Sequence, residues 1–337
     1  MVFYALKLPQ VALGQVLRGF DSSDLFEMHH CSIETSRVLR QFEKQNKTMK
    51  VRVDFFRNCV KVEGVHNYHV LDAEEDRTGL QIIPRTFDGT VVPTTMFDKF
   101  TIVTYWPKDE EVEGTKKIAT EMIRSLALGQ LKDVYISVQP KAQEIVEWVQ
   151  NMQVKMESFC LCGTSLENKD ALADLVFSDE FFRKVNKNYT CLLKPSPDYS
   201  PKNMEWDGHC ITNCHLALHH THWFTLEHLK LFNSESIDLY RSILSSADIN
   251  KYMKLWKEGF YTRLSRLFVS LVSLDGKEFN MQEIIAGIAD QSEVRVDENG
   301  NQTIELKRRD KNAELFVKQT KKEITFSVKD IPYIPIA

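Results

Sequence analysis

From about residue 114 onward, apolar residues alternate between strand-like and helical spacing, and this alternation restricts the fold more than any other feature. The predicted strand 134–138 is followed by Ala142, Ile145, Val146 and Val149, which share one face of a predicted helix. Strand starts recur at intervals of roughly 20 to 30 residues, the range of leucine-rich-repeat-like solenoids. We therefore predict an α/β fold in which an irregular strand–helix repeat forms the main domain. A compact α/β domain with a parallel sheet is the alternative.

Later in the chain, two further patterns fit this repeat. Ile249, Met253, Trp256 and Phe260 have helical spacing, and we predict that they share a helix face. Residues 264–269 follow as a predicted strand.

The segments on either side of these repeats predict mainly β-structure. Residues 51–106 are rich in alternating and β-branched residues, with predicted turns at Glu63-Gly64, Asp88-Gly89 and Val92-Pro93. Two hairpins are predicted near the C-terminus, one around Asn299-Gly300 and one around Lys321-Lys322. We expect these antiparallel strands to cover the edge that a strand–helix repeat leaves exposed.

The N-terminal 45 residues predict three short helices. In the first helix, Leu13, Val16, Leu17 and Phe20 recur at i, i+3, i+4 and i+7 and form one apolar stripe. So short a segment buries little apolar surface alone, and chains below about 40 residues usually need a further source of stability. The pattern leaves two possibilities open, packing on the rest of the chain or packing on a partner.

The order of apolar residues in this segment resembles an F-box. The pairs Leu8-Pro9, Val16-Leu17, Phe20-Asp21, Asp24-Leu25 and Cys31-Ser32 occur in the family's order, with Leu39 in the last helix. The resemblance implies a three-helix module that docks on the linker subunit of a cullin-based, SCF-type ubiquitin ligase. His29-His30 departs from the family, which more often has small or aliphatic residues there. The contact residues implied are Leu8, Pro9, Leu13, Val16, Leu17, Phe20, Leu25 and Leu39.

A second resemblance, over residues 100–328, is to the type-two F-box-associated domain of many nematode F-box proteins. It is most specific between Ser246 and Leu267, and it implies a domain that selects the protein to be ubiquitinated. The motif residues that carry it are Trp106, Gly114, Trp148, Trp223, Asn250, Trp256, Gly259, Leu264 and Leu267. Together the resemblances predict an F-box module over 1–45, a β-rich connection over 46–113 and an F-box-associated domain over 114–330.

Composition excludes several other classes. The formal net charge is -4, whereas a general nucleic-acid binder usually has a large basic excess. No apolar stretch reaches about 18 residues, so no membrane span is expected, and the N-terminus does not have the pattern of a signal peptide. Seven cysteines, an odd number, are typical of reduced thiols. We expect a cytoplasmic or nuclear protein.

The sequence has no familiar nucleotide-binding loop, nucleophile elbow or paired-cysteine zinc motif. A dense set of soft ligands runs through His209-Cys210, Cys214-His215, His219-His220 and His222, but its spacing matches no familiar zinc finger. We predict a strand followed by a histidine-rich loop rather than a metal site. Cys160 and Cys162 are predicted to be a core pair, with a redox or metal pair as the alternative. No cofactor is expected.

The resulting hypothesis is a non-enzymatic, substrate-recognition adaptor that binds the linker subunit, through it a cullin, and an unknown target protein. A scaffold protein of the same fold without a ubiquitin role is the first alternative. A zinc-dependent hydrolase is the second.

Overall fold

A computed structural model describes most of the chain. The described residues are 8–20, 28, 35, 37–39, 50–75, 77–126, 130–137, 139–163, 169–202, 204, 211, 215–271, 277–308, 312–317 and 320–329.

The chain divides into two compact units. Unit 1 consists of Met1–Ser137 and Glu147–Glu157, and unit 2 consists of Val138–Val146 and Ser158–Ala337. Both helices and strands occur in the chain, and the predicted mixed α/β fold is confirmed at this level.

Unit 1 begins with helix α1 (Gln10–Arg18), which starts directly after Pro9, as the sequence predicts. Met28, Thr35 and residues 37–39 are also helical, while the ends of the second and third predicted helices lie outside the described residues. A small hydrophobic core joins these helical residues. It consists of Leu13, Leu17, Met28 and Leu39, with Phe20 and Val38 packed against it.

The rest of unit 1 is a mixed sheet with one long helix. Its elements are β1 (Val51–Asp54), β2 (Cys59–Val62), β3 (Asn67–Asp72), β4 (Ile83–Phe87), β5 (Thr90–Met96), β6 (Thr101–Trp106), α2 (Glu111–Ser125) and β7 (Gln130–Ser137). The strand order is β7-β1-β2-β3-β6-β5-β4. The pairs β1–β7 and β3–β6 are parallel, and the other neighbours are antiparallel.

One predicted turn in this sheet is wrong. Val92-Pro93 lies inside β5, where Pro93 is opposite Pro84 of the edge strand β4. Two prolines can face each other because neither residue has to donate a hydrogen bond at that position. The β5–β6 ladder begins one residue later, at Thr94, so the missing N–H of Pro93 breaks no bond in that ladder.

The remaining described elements alternate between helix and strand as predicted, except at the consecutive helices Lys169–Val176 and Asp179–Lys184 and the consecutive strands Val185–Cys191 and His215–Leu218. They are α3 (Ala142–Asn151), β8 (Lys155–Cys162), α4 (Lys169–Val176), α5 (Asp179–Lys184), β9 (Val185–Cys191), β10 (His215–Leu218), α6 (Leu226–Lys230), β11 (Ser236–Ser242), α7 (Ser246–Lys257), β12 (Arg266–Leu271) and α8 (Met281–Ile285). A 3₁₀ turn and four strands follow: Gln291–Glu293, β13 (Arg295–Val296), β14 (Gln302–Lys307), β15 (Asn312–Val317) and β16 (Glu323–Lys329).

In unit 2 the strands β8 to β12 lie side by side in chain order, followed by β16, β15, β14 and β13. The neighbours from β9 to β12 are parallel. The two predicted C-terminal hairpins are confirmed, because β13–β14 and β15–β16 are antiparallel pairs. β16 also pairs antiparallel with β12 and so covers the edge of the parallel strands, as expected.

Helix α7 is one turn shorter than its apolar pattern suggests. Phe260 was predicted on its buried face, but the helix ends at Lys257 and Phe260 is 57% exposed. Gly259, with φ of +103°, turns the chain, and its N–H bonds to Trp256 O while the N–H of Phe260 bonds to Leu255 O. This is a Schellman ending, in which the residue after the left-handed glycine leaves the helix axis.

Candidate binding surfaces

The first candidate surface lies on α1 and on Leu8, two residues before it. Leu8 is 40%, Val11 80% and Val16 39% exposed, although Leu13 and Leu17 in the same segment are buried. We call Leu8, Val11 and Val16 the N-terminal apolar surface. Helix α1 therefore presents apolar side chains to solvent in addition to those it uses for its own core.

The structure divides the predicted linker contacts into two groups. Leu8, Pro9 and Val16 are exposed. Leu13, Leu17 and Leu39 are buried against one another, Phe20 is half-buried beside them, and Leu25 lies outside the described residues.

The second candidate surface is one face of the parallel sheet in unit 2. Successive side chains of a strand point to opposite faces, so residues in register on neighbouring strands share a face. Leu216, Ile237 and Leu267 are in register on the buried face, which we call the covered face. The opposite face, which we call the open face, carries His215, His219, Asp238, Tyr240, Arg266 and Phe268.

Aromatic rings form a ladder across the open face. The His219 ring stacks on Tyr240, with centroids 4.3 Å apart and an angle of 14° between planes. Tyr240 lies 5.2 Å from Phe268, and the Arg266 guanidinium lies 5.8 Å from the Phe268 ring. Arg266 also pairs with Asp238 at 3.5 Å. Aromatic and arginine side chains are the types that contribute most to protein–protein binding energy.

At the carboxyl ends of β10 and β11 the open face becomes basic. His220 and Arg241 both have positive φ, of 63° and 56°. The register between β11 and β12 shifts between Leu239 and Ser242, so Arg241 lies in a β-bulge. The pKa of His220 is lowered to about 4, first by burial and then by the positive charges of Arg241 and Lys194. The pKa of His219 is also lowered, by burial and then by Arg241, although Asp238 acts in the opposite direction.

Two of the predicted motif residues, Trp106 and Gly114, form a packing pair in unit 1. A Cβ atom on Gly114 would lie 2.6 Å from Cδ2 of Trp106, so only glycine lets α2 pass this close to the ring. Trp106 is buried and its Nε1 donates to Oγ1 of Thr104 at 3.0 Å. In the same unit, Trp148 is half-buried and makes an edge contact with Phe55, with centroids 5.6 Å apart.

The other motif residues lie in or next to the core of unit 2. Trp223 is buried, with its ring 4.4 Å from Phe177. The Nδ2 of Asn250 donates to Ile284 O at 2.7 Å and to Ala286 O at 2.9 Å, which satisfies carbonyl groups at the end of α8.

Trp256 contacts residues from two other parts of unit 2. Its ring meets Phe326 edge-on at 4.9 Å, and Arg308 lies 4.8 Å from it. Leu264 and Leu267 are buried, and Gly259 ends α7. These motif residues are therefore structural, and of the residues on the open face the sequence patterns singled out only His215 and His219, as part of the histidine-rich stretch.

The cysteine pair on β8 differs from its prediction. Cys162 is exposed and Cys160 is half-buried, so the pair does not belong to the core. Their sulfur atoms are 3.2 Å apart. Phe159 and Leu161 occupy the buried side of the strand instead. Burial raises the pKa of the Cys191 thiol to about 12, and burial together with Asp54 raises that of Cys59 to about 11, which is the opposite of activation.

The histidine-rich stretch lies only partly within the described residues. His209, Cys210 and Cys214 lie outside them, and the Nε2 of His222 is 2.7 Å from Ser196 O. Across the described ranges, no group of three or more histidine, cysteine or acidic side chains could hold a metal ion. No helix in those ranges is long and apolar enough to cross a membrane.

Comparison with protein families gives one match. A family model described as F-box associated matches residues 207–269, which include β10, β11, α7 and most of β12. Of the predicted motif residues, Trp223, Asn250, Trp256, Gly259, Leu264 and Leu267 lie within the match. No curated protein and no solved structure matches the chain.

Proposed function

We propose that the chain is a non-catalytic, substrate-recognition adaptor of an SCF-type cullin ubiquitin ligase, acting in the cytoplasm or nucleus. The observation that carries the proposal is the N-terminal apolar surface. Leu8, Val11 and Val16 remain exposed although the same helix already contributes Leu13 and Leu17 to a core. Apolar side chains left exposed on one short helical segment in this way fit a surface that another protein covers.

The proposed partner of this surface is the linker subunit, which in turn binds a cullin. Two observations support this choice. The residues have the order of an F-box, and part of unit 2 matches a family described as F-box associated. We propose that residues 1–45 dock on the linker, that 46–113 connect, and that 114–330 form the F-box-associated domain.

The open face is the proposed binding site for the target protein. Its aromatic ladder of His219, Tyr240 and Phe268 is partly accessible, and an arginine lies beside it. The arrangement of β8 to β12 in chain order supports the further proposal that this domain is an irregular leucine-rich-repeat-like array.

A binding measurement between the purified full-length chain and a linker–cullin complex tests the docking proposal. Leu8→Asp and Val16→Asp place a charge in the proposed interface, where an unpaired carboxylate is strongly unfavourable. We expect each variant to bind about five- to hundredfold more weakly, because a buried unpaired polar group costs about 1–3 kcal/mol.

Val91→Asp is the control, since Val91 is an exposed valine of unit 1 that lies on β5, outside the proposed interface. It should bind like the parent chain. If Leu8→Asp and Val16→Asp also bind like the parent chain, the docking proposal is wrong.

A further inference from the structure

The accessible side of β8 brings two thiols together at the end of the strand. Cys160 is half-buried and Cys162 is exposed, and their sulfur atoms are 3.2 Å apart, close enough for one thiol to hydrogen-bond with the other. Both side chains point away from the core, because Phe159 and Leu161 occupy the alternate, buried positions of the strand. Solvent and small oxidants therefore reach this pair without any opening of the core.

The spacing of the pair along the strand suits a reversible disulfide. Residues two apart on a strand have Cα atoms about 6.6 Å from each other, within the range of about 4.4–6.8 Å that disulfides span. Closing the sulfur atoms from 3.2 Å to the bonded distance of about 2.05 Å takes only a small movement of two side chains. A cross-link near the upper end of the Cα range is strained, and strained, exposed disulfides are the ones that thiols reduce most readily.

The end of β8 gives the pair room to close. Cys162 is the last residue of the strand, and Gly163 follows it with φ of 109°. Just before this end, the N–H of Leu192 bonds to Leu161 O at 2.9 Å and holds the strand in the sheet. Because glycine adopts a wide range of backbone conformations, the chain after Cys162 can adjust while the buried residues keep their places.

The other two cysteines of the described ranges have the opposite character. Cys191 is buried, and burial raises the pKa of its thiol to about 12. Cys59 is half-buried, and burial followed by the charge of Asp54 raises its pKa to about 11. Since the thiolate is the reactive form, both side chains stay protonated and unreactive at neutral pH.

We infer that Cys160 and Cys162 form a site of reversible oxidation by hydroperoxides. The thiolate of Cys162 attacks one oxygen of hydrogen peroxide, the O–O bond breaks, and Cys162 becomes a sulfenic acid while the other oxygen leaves as water. The thiol of Cys160 then attacks the sulfenic sulfur, the S–O bond breaks, and a second water leaves as the disulfide forms. Two thiols are thus oxidised by two electrons, and one peroxide is reduced to two waters.

A dithiol reductant reopens the bond by thiol–disulfide exchange, which restores both thiols. This oxidation site is independent of the proposed adaptor role, because it needs neither the linker subunit nor a target protein.

The test uses the full-length protein and a peptide that the sequence provides. Lys155 and Lys169 flank the pair, so trypsin releases residues 156–169 with Cys160 and Cys162 as their only cysteines. The reduced protein is treated with hydrogen peroxide, remaining thiols are blocked with N-ethylmaleimide, and the digest is measured by mass spectrometry. We expect this peptide to escape alkylation and to be lighter by the two thiol hydrogens, and dithiothreitol should reverse the change. Its thiols should disappear at least about tenfold faster than that of Cys59, whose pKa is raised.

Two serine variants separate the roles of the sulfur atoms, and both should keep the fold because neither side chain is buried. Cys162→Ser should slow the oxidation of Cys160 at least about tenfold, since the exposed thiolate that attacks peroxide is lost. Cys160→Ser should stop at a sulfenic acid on Cys162, which dimedone traps. Cys59→Ser is the matched control, a half-buried cysteine of unit 1, and it should leave the oxidation of the pair unchanged.

Three results would each overturn the inference. The first is oxidation of Cys59 and the pair at equal rates, and the second is sulfinic acid on Cys162 of the parent chain without a disulfide. The third is a pair that reacts with N-ethylmaleimide only after a chelator removes a bound metal, because the thiols would then serve as metal ligands.

Discussion

The covered face and the open face of the unit 2 sheet are built by the same strands but have opposite chemistry. Leu216, Ile237 and Leu267 lie on the covered face, and one residue further along each strand the side chains belong to the open face. The motif residues Trp256 and Leu267 lie on the covered side, with Trp256 packed on Phe326. Similarity to the F-box-associated family therefore describes the scaffold, and the residues of the proposed target-binding site lie at the alternate positions.

Truncating one aromatic residue on each side of the sheet should have the largest effect and tests whether the two faces differ. Trp256→Ala should lower the free energy of unfolding by about 3–5 kcal/mol, because it leaves a large cavity beside Phe326. Tyr240→Ala on the half-exposed ladder should cost only about 0.5–1.5 kcal/mol, the range of an aromatic contact. Chemical denaturation measures both values. Equal losses would show that the ladder is a structural element and would remove the distinction between the faces.

Two asparagines allow a smaller and more selective test. Asn250→Ala removes the donor to Ile284 O and Ala286 O, and we expect a loss of about 1–3 kcal/mol because buried carbonyl groups lose their partner. Asn188→Ala is the matched control, since its exposed side chain bonds only to Ser158 among the contacts described, and it should stay within about 0.5 kcal/mol of the parent. The thermal or urea unfolding midpoint of each variant measures these losses of stability. A larger effect at Asn188 than at Asn250 would contradict the assignment of the two sides.

The pH dependence should be the smallest effect, and it concerns His220 at the end of β10. The folded-state pKa of His220, about 4, is below its ordinary value of 6.5, so the unfolded chain binds more protons between these values. The contribution of His220 to stability is thus complete above pH 6.5 and is lost as the pH falls towards 4. We expect the urea midpoint to fall from pH 7 to pH 5, and we expect His220→Gln to reduce that change.

A carboxylate effect would occur in a different pH range. Hydrogen bonding from Asn301 and neighbouring N–H groups lowers the pKa of Asp297, so its stabilisation is lost only below the ordinary range of aspartate. If the midpoint stays constant from pH 7 to pH 5 in the parent chain, the effect of burial and of Arg241 on His220 is smaller than the structure indicates.

Local sequence patterns predicted the secondary structure well where the residues within one element determine its conformation. Asn299-Gly300 marked its hairpin because a left-handed glycine is needed there, and Gly300 has φ of 77°. The helix end at Gly259 was missed because apolar spacing alone continues to Phe260. The turn predicted at Val92-Pro93 was wrong because a proline opposite another proline is compatible with an edge pair.

The candidate sites depended on information that the sequence holds only indirectly. Alternation assigned Cys160 and Cys162 to one face of β8 correctly, but the larger apolar residues Phe159 and Leu161 indicate that this face is not the buried one. The direction of Arg241 depends on a bulge, and nothing in its local sequence marks an arginine as left-handed. The open face also required the register of three strands, which is a property of long-range pairing.

The pairing of β16 with β12 also has consequences for solubility. Without it, β12 would present a row of unpaired N–H and C=O groups to neighbouring molecules, and strand addition could continue from one chain to the next. The antiparallel strands instead carry the sheet outward to β13, which is two residues long and has Arg295 exposed beside Val296. Because β13 is so short and carries a charge, a strand from another molecule could form few hydrogen bonds with it. The C-terminal hairpins therefore leave little unpaired strand edge at this end of the sheet for another molecule to extend.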